Sequence, residues 1–410
     1  MRGSRFSLND RFGGKPTFFP PLLEDRLAPN AVVSRPGFSL GLLIGSGVAS
    51  IVVPSPKVAR LSLGRSYFRT MTLPPLHDDF AIVTDTVLER QLELIQSSAA
   101  SPSAGVFGPA STTWRLSREA VMFLGAGRAL LLQLAHPWIA AAVADHSRAL
   151  DEPIARFHRT FKTVFTMVFG TADQAFDAAR RLHRRHSQIT GVLPATAGPF
   201  KAGSRYFANN ISALRWVHAT LIDSALVAYD LVLGELTDEQ RAQYYSESRT
   251  YAGLFGIPET LMAADYSEFA SYAEAMFHSD ILTVSAVAQR IAEQIFAGPG
   301  RWLRVPASYR AVTSGMLPER LRWDFGFSYG DAEHRIGERA VRWIRRAYPL
   351  LPPRLRYVAP YHEARERLAG KPAPTIPTQL LNRLWIGQTS LADRSAERGV
   401  HHLPNRRFRC

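Results

Sequence analysis

The chain contains one cysteine, Cys410, which excludes an intramolecular disulfide framework and a thiolate metal cluster. It is poor in acids, with 35 Asp and Glu against 49 Lys and Arg, so the formal net charge is +14. No phosphate-cradling P-loop is present. There is no Gly-x-Gly-x-x-Gly after a strand, no Gly-x-Ser-x-Gly elbow and no His-Glu-x-x-His, so phosphoryl transfer and common hydrolase chemistry lose their usual signatures. None of the 12 histidines has a glutamate three residues before it, which removes a di-iron helix bundle. Strand-like alternation and internal repeats are nearly absent as well, against β-rich and solenoid folds.

The excess of positive charge favours anionic contacts in general. It is concentrated at the ends. Residues 1–76 carry ten Lys or Arg against three acids, and Arg406, Arg407 and Arg409 sit in the last ten residues. No zinc-finger spacing, basic zipper or aromatic RNA-binding signature accompanies it, so nucleic acid is not an expected partner.

Residues 1–76 read as a separate basic leader, broken by Pro20, Pro21, Pro36, Pro54 and Pro56 and lacking helical period. Within it, residues 38–53 are apolar, yet too short and rich in Gly and Ser for a full span. An intracellular location is favoured, with targeting to an organelle and a peripheral or weakly anchored membrane contact through residues 1–76 left open. Residues 77–370 read as one helical domain, and residues 371–410, beginning KPAPTIP, as a disordered basic tail.

The central region is all-α in pattern. EAVMFLGAGRALLLQL, residues 119–134, is apolar nearly all round and reads as a buried helix. Gly125 and Gly127 inside it imply close approach by a neighbouring helix or a flat ligand, helix contact being the commoner reason. Pro137 suits the first turn of the next helix. Further helices are expected over 152–169, 173–189 and 210–233, closed by Gly170, Gly191 and Gly234, followed by one capped by Thr237 and another opened by Ser267.

Histidine is the available metal ligand, and seven of the 12 lie between His136 and His278. His183 and His186 fall three residues apart in RRLHRRHSQITG, on roughly one side of a helix. Read alone, four neighbouring arginines make a solvated basic face the favoured reading of the pair. Arg156, Arg159, Thr160 and Lys162 put donors on successive turns of another helix, where they could meet charge developing on bound oxygen or simply snorkel along a surface. His218 in RWVHATLIDS reads as core, or as the wall of a ligand pocket.

These segments together resemble the family of the latex-clearing (rubber oxygenase) proteins and the fungal MpaB oxygenases, over about residues 106–330. The resemblance rests on FGPASTTWRLSREAVMFLGAGRALLLQLAHPWIAAAVADHS, the Arg-x-x-Arg-Thr of Arg156 to Thr160 leading to VFG, HSQITG, RWVHATLIDS and TSGMLPERLRWDFG. It implies a single multi-helix domain with a globin-like core holding haem b, and oxidative chemistry using dioxygen on an apolar or polyisoprenoid-like substrate. It further implies a proximal histidine in the helix that contains His186, with His183 and His218 as secondary cofactor candidates. The distal Arg-x-x-Lys-Thr of the rubber-cleaving members corresponds to Arg156, Arg159 and Thr160, arginine standing where they have lysine. A second register, Arg159-x-x-Lys162-Thr163, matches that motif literally. A helical protein that binds haem or lipid without turnover is the alternative function.

Overall fold

In a computed structural model the described residues are 81–99, 101–146, 153–297 and 305–392. The basic leader, Cys410 and the end of the tail lie outside them. Among the described residues the chain forms sixteen α-helices and one two-stranded sheet, as the periodicity implies. In order the helices are α1 (Asp85–Ser98), α2 (Thr112–Ser117), α3 (Leu124–Leu134), α4 (Pro137–His146), α5 (Pro153–Phe169), α6 (Ala172–Ser187), α7 (Ile211–Leu233) and α8 (Asp238–Gly253). They continue with α9 (Tyr266–His278), α10 (Ala286–Ala297), α11 (Ala307–Met316), α12 (Glu319–Asp324), α13 (Asp331–Ala347), α14 (Pro353–Arg356), α15 (Ala359–Leu368) and α16 (Ile376–Ile386). Between α6 and α7, β1 (Thr190–Val192) pairs antiparallel with β2 (Arg205–Phe207), Gly191 opposite Tyr206.

Local chemistry sets the helix starts. Thr171 and Thr237 each accept from the backbone of a glutamine three residues on, and Gln174 and Gln240 reach back to cap them. Asn210 caps α7 through the Ala213 amide at 2.9 Å. The apolar run at 119–134 is not one helix. Ala120–Phe123 is a 3₁₀ turn and the α-helix starts at Leu124, because Glu119 is extended and its carboxylate is drawn away to Arg356. Tyr348 Oη accepts from the Val121 amide and donates to the same carboxylate.

Two large apolar cores result among the described residues, beside a smaller cluster of Trp138, Leu193, Phe200 and Tyr206. One gathers α1, α5, α6, α15 and α16 around Trp114, Phe165 and Phe169. The other gathers α3 and α7–α10 around Leu131, Trp216 and Phe269. Gly125 resolves the question its sequence raised: a Cβ there would overlap the Ser224 carbonyl oxygen of α7, and at Gly127 it would press on Thr313 and Tyr309 of α11. Helix contact explains both glycines. Arg128 is buried between the same helices, donating to the Met316 carbonyl at 2.7 Å and Ser224 Oγ at 2.9 Å beside the Asp223 carboxylate. Helix α7 is long and apolar enough to cross a membrane, but 61% of its apolar window is buried inside the protein.

The disordered tail expected from residue 371 is corrected over its first part. Residues 376–386 form α16, which packs on α15 and α5 and ends at Gly387 with φ of 70°. Glu363 of α15 is the physical reason. Its buried carboxylate accepts from Asn382 Nδ2 at 2.7 Å, Ser390 Oγ at 2.6 Å and the Leu391 amide at 3.0 Å, pinning the middle of the helix and the turn that follows it.

Candidate active site

Helices α5 and α6 are joined at Gly170 and pack against each other. The start of α5 therefore lies beside the end of α6. This brings the Arg-x-x-Arg-Thr segment and the histidine pair onto neighbouring helices. Arg156 is half-buried, and its pKa is lowered by desolvation first and then by the positive charges of Arg185 and Arg159. Arg185 is the residue before His186.

His186 is half-buried in the last turn of α6, and among the described residues neither ring nitrogen has a hydrogen-bond partner. Burial pushes its pKa down to about 4, helped by the charge on Arg185 and by His183. A helix C-terminus ordinarily favours a charged histidine. Here burial and the adjacent guanidinium outweigh it, so the ring is neutral at pH 7 and its nitrogens can bind a metal.

His183, one turn earlier, faces α1. Its Nε2 lies 3.2 Å from Asp85 Oδ1, while its buried Nδ1 has no partner among the described residues. One turn before that, Arg180 makes a two-pronged contact with Glu89 at 2.8 and 2.7 Å, which holds that carboxylate below its ordinary range. Helix α1 thereby fixes the rotation of α6. Asp85 and Glu89 had no motif to reveal them in the sequence.

Arg159 and Thr160 are exposed on α5. Lys162 turns toward α16 instead, its ammonium donating to Gln388 Oε1 at 2.5 Å. Thr163 Oγ1 donates back to the Arg159 carbonyl at 3.1 Å. Lys162 and Arg156 thus occupy different environments, and Arg156 is the member in the field of Arg185. Between α5 and α16 runs an aromatic cluster in which the tilted Phe161 ring lies 4.4 Å from both Phe157 and Phe123, with Trp385 4.7 Å from Phe123. Trp385 was hidden in the segment read as tail.

His218 lies apart from this group. Its Nε2 donates to the Ser248 carbonyl at 2.8 Å, and burial lowers its pKa to about 4. It lines a small cavity of about 20 Å³ in the second core with Arg215, Tyr245 and Tyr272. His136 is equally buried, also held at about 4 by burial, and packs 5.0 Å from Phe200.

Among the described residues no group of three or more His, Cys, Asp or Glu could hold a metal ion. Iron carried in a macrocycle needs less from the protein, since one neutral imidazole suffices as an axial ligand. His186 meets that requirement, the orphaned Nδ1 of His183 offers a second polar atom, and Arg156, Arg159 and Arg185 supply positive charge for carboxylate groups on such a ligand. The donor set fits a haem.

The family described as "ER-bound oxygenase mpaB/B'/Rubber oxygenase, catalytic domain" matches residues 114–346, from Trp114 in α2 to Arg346 in α13. No curated protein and no solved structure matches the chain.

Proposed function

The chain belongs to the mpaB/rubber oxygenase catalytic-domain family, and on that premise we propose that it is a haem-b-dependent oxygenase of an apolar substrate, with His186 as the axial ligand. The observation that carries the reading is a neutral His186 at the end of α6, next in chain to Arg185, whose charge acts on Arg156 across the α5/α6 contact. Bound haem would supply the iron at which dioxygen is activated.

The chain's own residues contribute binding, charge and exclusion of water. His186 presents an unprotonated ring nitrogen, and its burial keeps protons from competing for that atom across the neutral range. Arg156 and Arg159 keep their charge, so they serve as hydrogen-bond donors to negative charge and not as bases. The Thr160 hydroxyl adds a donor one helical position on. The pointing of Lys162 toward Gln388 favours this register over the one that includes Lys162 and Thr163. Phe157 and Phe161 on the same helix, with Phe123 from the 3₁₀ turn before α3, offer an apolar wall suited to a hydrocarbon substrate such as a polyisoprenoid-like chain.

The absorption spectrum of the purified protein tests the proposal. A Soret band that shifts on reduction is expected, and His186→Ala should abolish it with far-UV circular dichroism unchanged. A band retained in His186→Ala and lost in His183→Ala or His218→Ala would move the ligand to that histidine. Well-folded protein without haem after reconstitution would defeat the reading. Bound haem without oxygen uptake on reduction would favour a binding protein that does no chemistry.

A further inference from the structure

Away from the histidines, the surface made by α14, α15 and the start of α16 combines two features that water-facing surfaces rarely place side by side. The first is apolar. Ile376, Leu380 and Leu384 are 73%, 58% and 69% exposed, and their spacing of four puts them on one face of α16. The buried face of the same helix carries Thr378, Asn382 and Ile386. Leu355 at α14 and Leu350 just before it are exposed by 59% and 83%.

The second feature is cationic. A cavity of about 250 Å³ connects α14, α15 and α16, and Arg354, His362, Arg365 and Lys371 are among its lining. Pro377 and Leu381 of its lining belong to the same helix as Ile376, Leu380 and Leu384, so the cavity adjoins that apolar face. Glu366 is the acid in the lining, and its carboxylate is engaged by the Thr375 amide at 2.7 Å, Thr375 Oγ1 at 2.6 Å and Thr378 Oγ1 at 3.0 Å. His362 is turned inward to the Pro353 carbonyl at 3.1 Å. Lys371 Nζ lies 4.0 Å from the Glu366 carboxylate, so Arg354 and Arg365 set the field of the cavity, with Lys371 at the Glu366 side.

The geometry points to a docking surface for an anionic phospholipid membrane, with Ile376, Leu380 and Leu384 entering the acyl boundary and a lipid phosphate held among Arg354, Arg365 and Lys371. A helix lying in the interface buries its apolar side at the headgroup boundary and keeps cations at phosphate level, which is the arrangement seen here. An exposed apolar patch alone would fit a protein partner equally well. The cationic cavity beside the patch selects an anionic lipid surface. Glu363 holds α16 rigidly in place, so little ordering remains to oppose binding. The inference rests on this surface alone and is independent of any haem.

Vesicle flotation of the full-length protein tests it, comparing phosphatidylcholine with phosphatidylcholine containing phosphatidylserine. Retention is expected on the anionic vesicles and should weaken as salt is raised. The triple variants Ile376→Ser/Leu380→Ser/Leu384→Ser and Arg354→Ala/Arg365→Ala/Lys371→Ala should each lower the bound fraction roughly tenfold with circular dichroism unchanged. Neutralising Arg60, Arg65 and Arg69, or Arg406, Arg407 and Arg409, should leave most binding intact. The proposal fails if those end-segment variants abolish retention while the surface variants retain it. It also fails if neutral and anionic vesicles bind equally, or if the serine variant only converts a dimer to a monomer.

Discussion

Lys162 and Gln388 meet at 2.5 Å across the contact between α5 and α16, so the lysine of the helix is directed toward α16. Arg156 lies on the α6 side, in the field of Arg185. With haem bound, Arg156→Ala is therefore expected to slow oxygen uptake by the reduced protein roughly a hundredfold. Lys162→Ala should stay near the parent rate, and an equal loss in both variants would contradict this division of roles.

Gly125 has no room for a side chain against Ser224 of the neighbouring helix. Gly125→Ala must push α3 and α7 apart, and a cost of about 2 kcal/mol in urea unfolding is expected despite the gain in helix propensity. A stabilised protein would show that the contact relaxes freely.

Glu119 is 3% exposed and bound by Arg356 at 2.8 and 3.1 Å, with Tyr348 Oη at 3.0 Å. Glu119→Leu strips the arginine and the tyrosine of their partner, and a loss of roughly 3 kcal/mol is expected. Combining it with Arg356→Met should recover part of that loss. Additive losses in the double variant would mean that the pair is not coupled.

Glu363→Ala removes the carboxylate that ties α16 to α15, and the cost should be local, about 2 kcal/mol. Amide hydrogen exchange should speed up over residues 376–386 and stay unchanged in α7. Uniform acceleration along the chain would mean that α16 is integral to the whole domain.

Acid should weaken the protein through its buried histidines. His136, His186 and His218 are each held at about 4, burial being the first cause in every case. A histidine whose pKa is lower folded than unfolded contributes stability that is complete above its unfolded value near 6.5 and is lost as pH falls toward the folded value. Unfolding free energy should therefore drop between about pH 6.5 and 4, by at most roughly 3 kcal/mol per histidine, with half-buried His186 contributing least. Urea titrations across that window check it, and His218→Gln should flatten the slope.

Much of the architecture could be read from caps and stops. Thr171, Asn210 and Thr237 begin helices where their side chains reach unpaired amides, and such local chemistry is visible in sequence. Helix α16 was missed because Pro372, Pro374 and Pro377 crowd its start and its outward leucines obscure the amphipathic pattern. The left-handed Gly387 was the signal available for its end. In the site, the arginine motif and the histidine pair each stood out on their own helices. Their proximity, the Asp85 contact and the arrival of Trp385 from α16 depend on packing between distant segments, which no local pattern encodes.

Helix α7 puts Ile211 and Leu214 into one core and Trp216, Ala219 and Ile222 into the other. A rod shared in this way works as a common axle. Neither half can melt while the other keeps its grip on the same backbone, so the amides at the middle of α7 should exchange only through global unfolding and be the slowest in the molecule.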